Sequence, residues 1–325
     1  RRTGEPDADE PPTRATPRGN GAGPDAMAEG QATEAPRPPS SVRRVLRRAL
    51  LVAGLFIAAN EGCVNVRADR LTSTVPMQEF AGLTSVWTDY ESLASRSYLF
   101  GMGVGELQRA LLRQTMVLSE RVIGNYRTPQ PSVREAQWEA AATALRRALG
   151  AAPNDVELRA ALRYSEGHLR RIDGEAHKAR RETTLAQRDF AEALTAFREA
   201  AVLRPDWPDP FLGLARTFIY GLDDIDRGHD AITRAERLGY PSGVRETAQL
   251  ADGYRARAEA LERSAANLSG IPQERELLTR SADACRKALE LYSKIADLPD
   301  VPARIRGTQL RLDRILRRLE GPPWE

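Results

Sequence analysis

Three histidines, two cysteines and one glycine-rich run are the residues from which chemistry could be assembled in this 325-residue chain. His168 and His177 are nine positions apart, which puts them on opposite sides of one helix at 3.6 residues per turn. His229 stands far from both, and no H-x-x-x-H or H-E-x-x-H pair offers the spacing of a helical zinc site. Cys63 and Cys285 belong to no C-x-x-C unit, which argues against a disulfide framework and against a zinc knuckle. Gly101-Met102-Gly103-Val104-Gly105 precedes a helical pattern, and backbone N–H groups there could cradle a phosphate. The run has no strand before it and no Gly-Lys-Ser/Thr ending, so it reads as a flexible joint. Neither G-x-S-x-G nor a kinase or Cys–His nucleophile signature is present. Asp223-Asp224 falls in a turn, where carboxylates cap the following helix. The expectation is a non-enzymatic protein with no metal and no cofactor.

The elements that would have to position such residues read as helices throughout. Alanine and leucine are abundant, aromatics make up 6%, and no alternating strand pattern of useful length occurs. Lys+Arg is 48 against 45 Asp+Glu, a net charge of +3 with acids and arginines interleaved, so no nucleic-acid partner is expected. Residues 1–40 are rich in Pro, Gly and charge without apolar periodicity and read as a disordered tail. The chain starts at Arg1, which reads as a fragment or as a natural start at Met27.

Residues 41–66 form a signal or single-pass membrane segment. Arg43, Arg44, Arg47 and Arg48 precede the eleven uncharged residues 49–59, then Asn60-Glu61 interrupts and Cys63 to Val66 resumes. An anchor through residues 45–66 in the inner, cytoplasmic membrane would keep the arginines cytoplasmic and the C-terminal bulk outside the cytoplasm; export after signal cleavage is the alternative. Residues 67–104 hold a juxtamembrane helix over Met77–Tyr98 and the glycine-rich joint. Residues 105–320 are helix after helix, with Ser132 and Glu135 read as a capping box and a turn at Pro153-Asn154-Asp155.

Inside that region a spacing recurs. Ala141-x3-Leu145-x2-Ala148-x4-Pro153 returns as Ala193-x3-Phe197-x2-Ala200-x4-Pro205, and again as Gly228-x3-Ile232-x2-Ala235 with Pro241 one residue late. Phe211-x2-Leu214-Ala215-x2-Phe218 forms the helix between, and Arg188-Asp189-Phe190 stands in the turn before Ala193. Ala193 to Gly228 is 35 residues, near the period of about 34 for tetratricopeptide repeats. The chain resembles that family over 189–238 and 133–153, and less closely over 244–297. Ala141 to Ala193 is 52 residues, and Arg180, Arg181 and Thr184 occupy slots that should be apolar, so an extra helix is expected to interrupt the array.

The resemblance implies an all-α solenoid of stacked helix-turn-helix repeats, with first helices lining a concave groove that binds a peptide or partner protein. Asp209, Leu212, Arg216, Ile219 and Tyr220 would face it from one first helix, Arg245, Asp252 and Arg255 from the next, and Arg159 and Arg163 from the preceding one. Arginines there suit an acidic peptide. The competing reading is signalling: a proline-rich linker, one membrane segment and an outer repeat domain resemble the C-terminal half of a bacterial transmembrane Ser/Thr kinase.

Overall fold

The computed structural model of the chain describes residues 40–320 except 100, 129–131 and 269. The expected tail, apart from Ser40, lies outside the described residues, as do residues 129–131 and 321–325. Eleven α-helices and no strand occur among the described residues. They are α1 Ser40–Thr74, α2 Phe80–Arg96, α3 Gly105–Tyr126, α4 Glu135–Ala151, α5 Val156–Ala179, α6 Thr183–Leu203, α7 Asp209–Arg216, α8 Ile225–Arg237, α9 Val244–Ala266, α10 Pro272–Ser293 and α11 Val301–Glu320. Contacts divide the chain into two units, Arg1–Gly54 and Leu55–Glu325. The first contributes the start of α1, where the side chains of residues 41–54 are exposed. In the second, from α2 onward, each helix packs on its chain neighbours.

The helix starts follow from local chemistry. Asp155 accepts the Leu158 N–H at 3.0 Å and opens α5, and Asp224 does the same for Arg227 at the start of α8. The box expected at Ser132 and Glu135 sits elsewhere: α4 begins at Glu135, and Gln137 Oε1 reaches back to the Arg134 N–H at 2.8 Å. Against the extra helix expected between Ala141 and Ala193, only α5 stands between α4 and α6. The 52-residue spacing is taken up by a long α5 and a long α6 joined by a tight turn at 180–182, where Arg181 adopts φ 64°. Arg188, Asp189 and Phe190 lie inside α6, not in a turn. The glycine-rich joint is a packed turn: Gly101 is left-handed at φ 75°, a short helical turn covers Met102–Val104, and Val104 is buried.

Phe190 and Phe197 of α6 lock three helices together. A β-carbon on Gly167 of α5 would lie 2.7 Å from the Phe197 ring, and one on Gly213 of α7 would lie 2.5 Å from it. Phe190 is held in the same way, by Gly174 of α5 at 2.6 Å and by Gly221 at 2.9 Å. Each ring therefore fills a slot whose two walls are bare backbone, and full burial of such a ring is worth about 1.5–3 kcal/mol. After Arg216 the helix widens into a π-turn over Thr217–Gly221, closed by the Leu222 N–H on the Thr217 carbonyl at 3.1 Å. Lys178 of α5 takes up the Tyr220 and Gly221 carbonyls at 2.8 and 3.0 Å.

Candidate functional site

A cavity of about 460 Å³ opens where the end of α3, the start of α4, the second half of α5 and α7 meet. Tyr126, Val133, Arg134, Glu135, Arg171, Ile172, Glu175 and Arg216 line it. Arg171 is 3% exposed, an unusual place for a guanidinium, and its charge is met by Glu175 Oε1 at 2.6 Å. Its Nε also donates to His168 Nδ1 at 3.4 Å, which leaves the His168 proton on Nε2. His168 is fully buried, stacked on Trp138 at 4.2 Å and ringed by Tyr126, Tyr164 and Phe197 at 4.4, 4.6 and 5.1 Å. Burial, then the charges of Arg171, Arg216 and Arg245, hold its pKa well below the usual 6.5, so it is a neutral core residue.

Two of the lining residues carry a buried polar atom without a hydrogen-bond partner among the described residues. Arg216 Nε is buried and lies 3.5 Å from Glu175 Oε1, an ion pair without hydrogen-bond alignment. The Tyr126 hydroxyl is buried and has no hydrogen-bond partner among the described residues. Three arginines face two glutamates on this wall, so its balance is one positive charge.

Beside it, Asp252 of α9 gathers groups from three other elements. It accepts from the Tyr220 hydroxyl at 3.0 Å, from the Tyr292 hydroxyl of α10 at 2.5 Å, and from Arg304 of α11 at 2.5 and 2.7 Å. Arg255 reaches the same Tyr292 oxygen at 3.4 Å and pairs with Glu259 at 2.9 Å. Burial, then the bond to Asp252, pushes the Tyr292 hydroxyl up to about 12, and burial followed by the Asp252 charge raises Tyr220 as well. These hydroxyls are therefore donors at every physiological pH. Further along, Arg311 and Arg314 bind Glu262 at 2.5 and 2.9 Å; burial opposes its ionisation, yet the two arginines hold it below the usual carboxylate range.

The ten residues expected on the groove divide three ways. Arg216, Tyr220, Asp252 and Arg255 come together, with the Arg216 guanidinium 5.5 Å over the Tyr220 ring. Asp209, Leu212, Ile219 and Arg245 are buried, against the expectation that they face a partner. Asp209 starts α7 and binds Arg127 Nε at 2.6 Å, a carboxylate at a helix N-terminus that also meets a guanidinium. The π-turn shifts the face of the chain after Arg216, which carries Ile219 inward against Gly228 and Gly253. Arg245 lies on the Tyr126 ring, 4.5 Å from its centroid, and donates to the Tyr126 carbonyl. Arg159 donates to the Pro153 carbonyl at 2.5 Å. Arg163 binds Glu166 and Glu199 at 2.9 and 2.8 Å, on a wall of α4, α5 and α6 that shares neither residue with the cavity of Arg216.

Sequence reasoning missed Tyr126, Arg171, Tyr292 and Arg304. Arg171 carried a usable signal, because it shares the apolar stripe of α5 with Tyr164 and His168 at helical spacing. It also missed the contact of His177 Nδ1 with Asp189 Oδ2 at 2.5 Å across the α5–α6 turn. Among the described residues no group of three His, Cys, Asp or Glu side chains is placed to hold a metal ion. Compared with protein-family models and with curated proteins, the chain matches none.

Proposed function

We propose that this chain is a membrane-tethered, tetratricopeptide-like scaffold that binds an acidic segment of a partner protein and catalyses no reaction. The observation that carries the reading is the cavity between Tyr126, Arg171 and Arg216, with one surplus positive charge on its wall. A carboxylate there would meet the part-exposed Arg216 guanidinium in a charge-assisted hydrogen bond. Val133 and Ile172 add an apolar wall beside it. The repeat reading draws support from the helix pairs α3–α4, α5–α6, α7–α8 and α9–α10, each packed on the next, with α11 closing the series. The tether is α1, a helix long and apolar enough to cross a membrane. Its four leading arginines favour the cytoplasmic side, which puts the helical domain outside the cytoplasm.

The test is a photo-crosslinking amino acid in place of Arg134, which is exposed at the cavity mouth, in the full chain in its native membrane. A discrete adduct to one protein that disappears with Arg216→Gln is expected. An adduct that survives Arg216→Gln, or a chain recovered in the soluble fraction, would overturn the binding reading or the tether respectively.

A further inference from the structure

The membrane segment is too short if it ends where its apolar run ends. Residues 49–59 rise about 16 Å as a helix, roughly half of a hydrocarbon core of about 30 Å. Running on to Val66 brings the length to about 27 Å, and charge returns at once with Arg67, Asp69 and Arg70. Between Arg48 and Arg67 the only charged residue is Glu61.

Glu61 is not bare. Its carboxylate accepts the Ser97 hydroxyl at 2.9 Å and the Tyr98 and Leu99 N–H groups at 2.6 and 3.3 Å. Beside it Asn60 Nδ2 donates to the Arg96 carbonyl at 2.9 Å. The two residues that break the apolar run thus close the end of α2 and staple the α2–α3 turn onto α1. The staple continues on both sides: the Tyr98 ring lies 6.4 Å from that of Phe56, and Gly103 packs on Asn65. Along α1, the turn therefore lies beside residues 56 to 65, the stretch needed to complete the span. It is also apolar on its open side, with Tyr98 59%, Leu99 45% and Met102 80% exposed.

We infer that the α2–α3 turn enters the bilayer with α1, and that Tyr98, Leu99 and Met102 face lipid. The inference rests on the reading of α1 as the tether. The length shortfall requires residues 60–66 in the hydrocarbon. The bonds around Glu61 satisfy the one charge and the Asn60 amide, which would otherwise be costly there, while Asn65, the second amide of the stretch, sits against Gly103 of the turn. The exposed apolar side chains continue the lipid-facing surface of α1 instead of forming an isolated patch. The domain is then seated directly in the membrane surface, without a free linker.

The test uses the full chain in lipid nanodiscs, with Cys63→Ser to remove the exposed native thiol. Nitroxide labels are placed one at a time at Leu99→Cys and Met102→Cys, with Leu55→Cys on α1 as the lipid reference. Val202→Cys, 77% exposed on α6, is the water reference. Accessibility to oxygen, which concentrates in lipid, is compared with accessibility to a water-soluble nickel chelate. Expected is an oxygen-to-nickel ratio at 99 and 102 several-fold above that at 202 and close to that at 55. A ratio at 99 and 102 equal to that at 202, while 55 reads lipid, overturns the immersed turn and leaves the tether standing. A water reading at 55 as well overturns both.

Discussion

Gly213→Ala adds one methyl group where the structure has no room for it. The new carbon would stand 2.5, 2.7 and 2.8 Å from Cε1, Cζ and Cδ1 of Phe197, against an optimum of about 3.5–4.0 Å between carbons. The ring has little room to retreat, because Phe197 is 0% exposed and is also packed against Gly167, where even a β-carbon would lie 2.7 Å from the ring. Forcing a methyl into such a slot costs about 1–3 kcal/mol, with this doubly walled ring at the upper end. Alanine returns up to about 1 kcal/mol through helix propensity. The expected net effect is a loss of about 1–2 kcal/mol. Gly124 of α3 is the internal control, since nothing lies within 4 Å of its would-be methyl. There the same exchange should gain about 0.5–1 kcal/mol. Urea unfolding of the full chain in detergent, followed by circular dichroism, reads both as midpoint shifts at constant slope. Phe197→Leu in the Gly213→Ala background should recover part of the loss as a non-additive coupling. If Gly213→Ala unfolds at the same or higher urea than the parent chain, the account of the slot is wrong.

Two further perturbations probe the site. His168 has its folded pKa depressed by burial and by three arginines, so the unfolded chain takes up a proton that the folded chain refuses. Its contribution is full above pH 6.5 and is lost as the pH falls below that, at up to about 1.4 kcal/mol per unit. His168→Asn should flatten that part of the stability–pH curve, and an unchanged slope would count against a neutral buried imidazole. Asp252→Ala strands the Tyr220 and Tyr292 hydroxyls and Arg304 together, at a cost of about 2–4 kcal/mol, whereas Tyr292→Phe should cost about 1 kcal/mol. Equal costs in urea titrations would show that Asp252 is not the hub.

What could be read from the chain alone was what repeats at 3.6 residues. The apolar stripes located the helices, and Asp224 marked the start of one, because an N-cap needs only a residue and its near neighbours; Asp155 read only as part of a turn and caps α5. The slot for Phe197 was half legible: its spacing with Ala193 and Ala200 recurred in the sequence, but the contacts that matter are with Gly167 and Gly213 on other helices. The groove was harder. A face drawn on an ideal helix holds only while the helix stays ideal, and the π-turn at Thr217–Gly221 turned Ile219 inward. Asp252 could be named, but not its partners Tyr292 and Arg304, which lie 40 and 52 positions away.

Polar residues standing where a pattern calls for apolar ones were the most informative, because each is tolerated only through a bond to a nearby partner. Arg171 interrupts the apolar stripe of α5 and binds Glu175 beside the cavity. Glu61 interrupts the apolar run of α1 and holds the Tyr98 and Leu99 amides. In both cases the cost of burying or immersing a charge is large enough that its partner must be close by. At Glu61 the interruption marks where a distant segment docks, the turn after α2 lying 36 to 38 positions along the chain, and at Arg171 it marks a cavity wall closed by a partner one helical turn away.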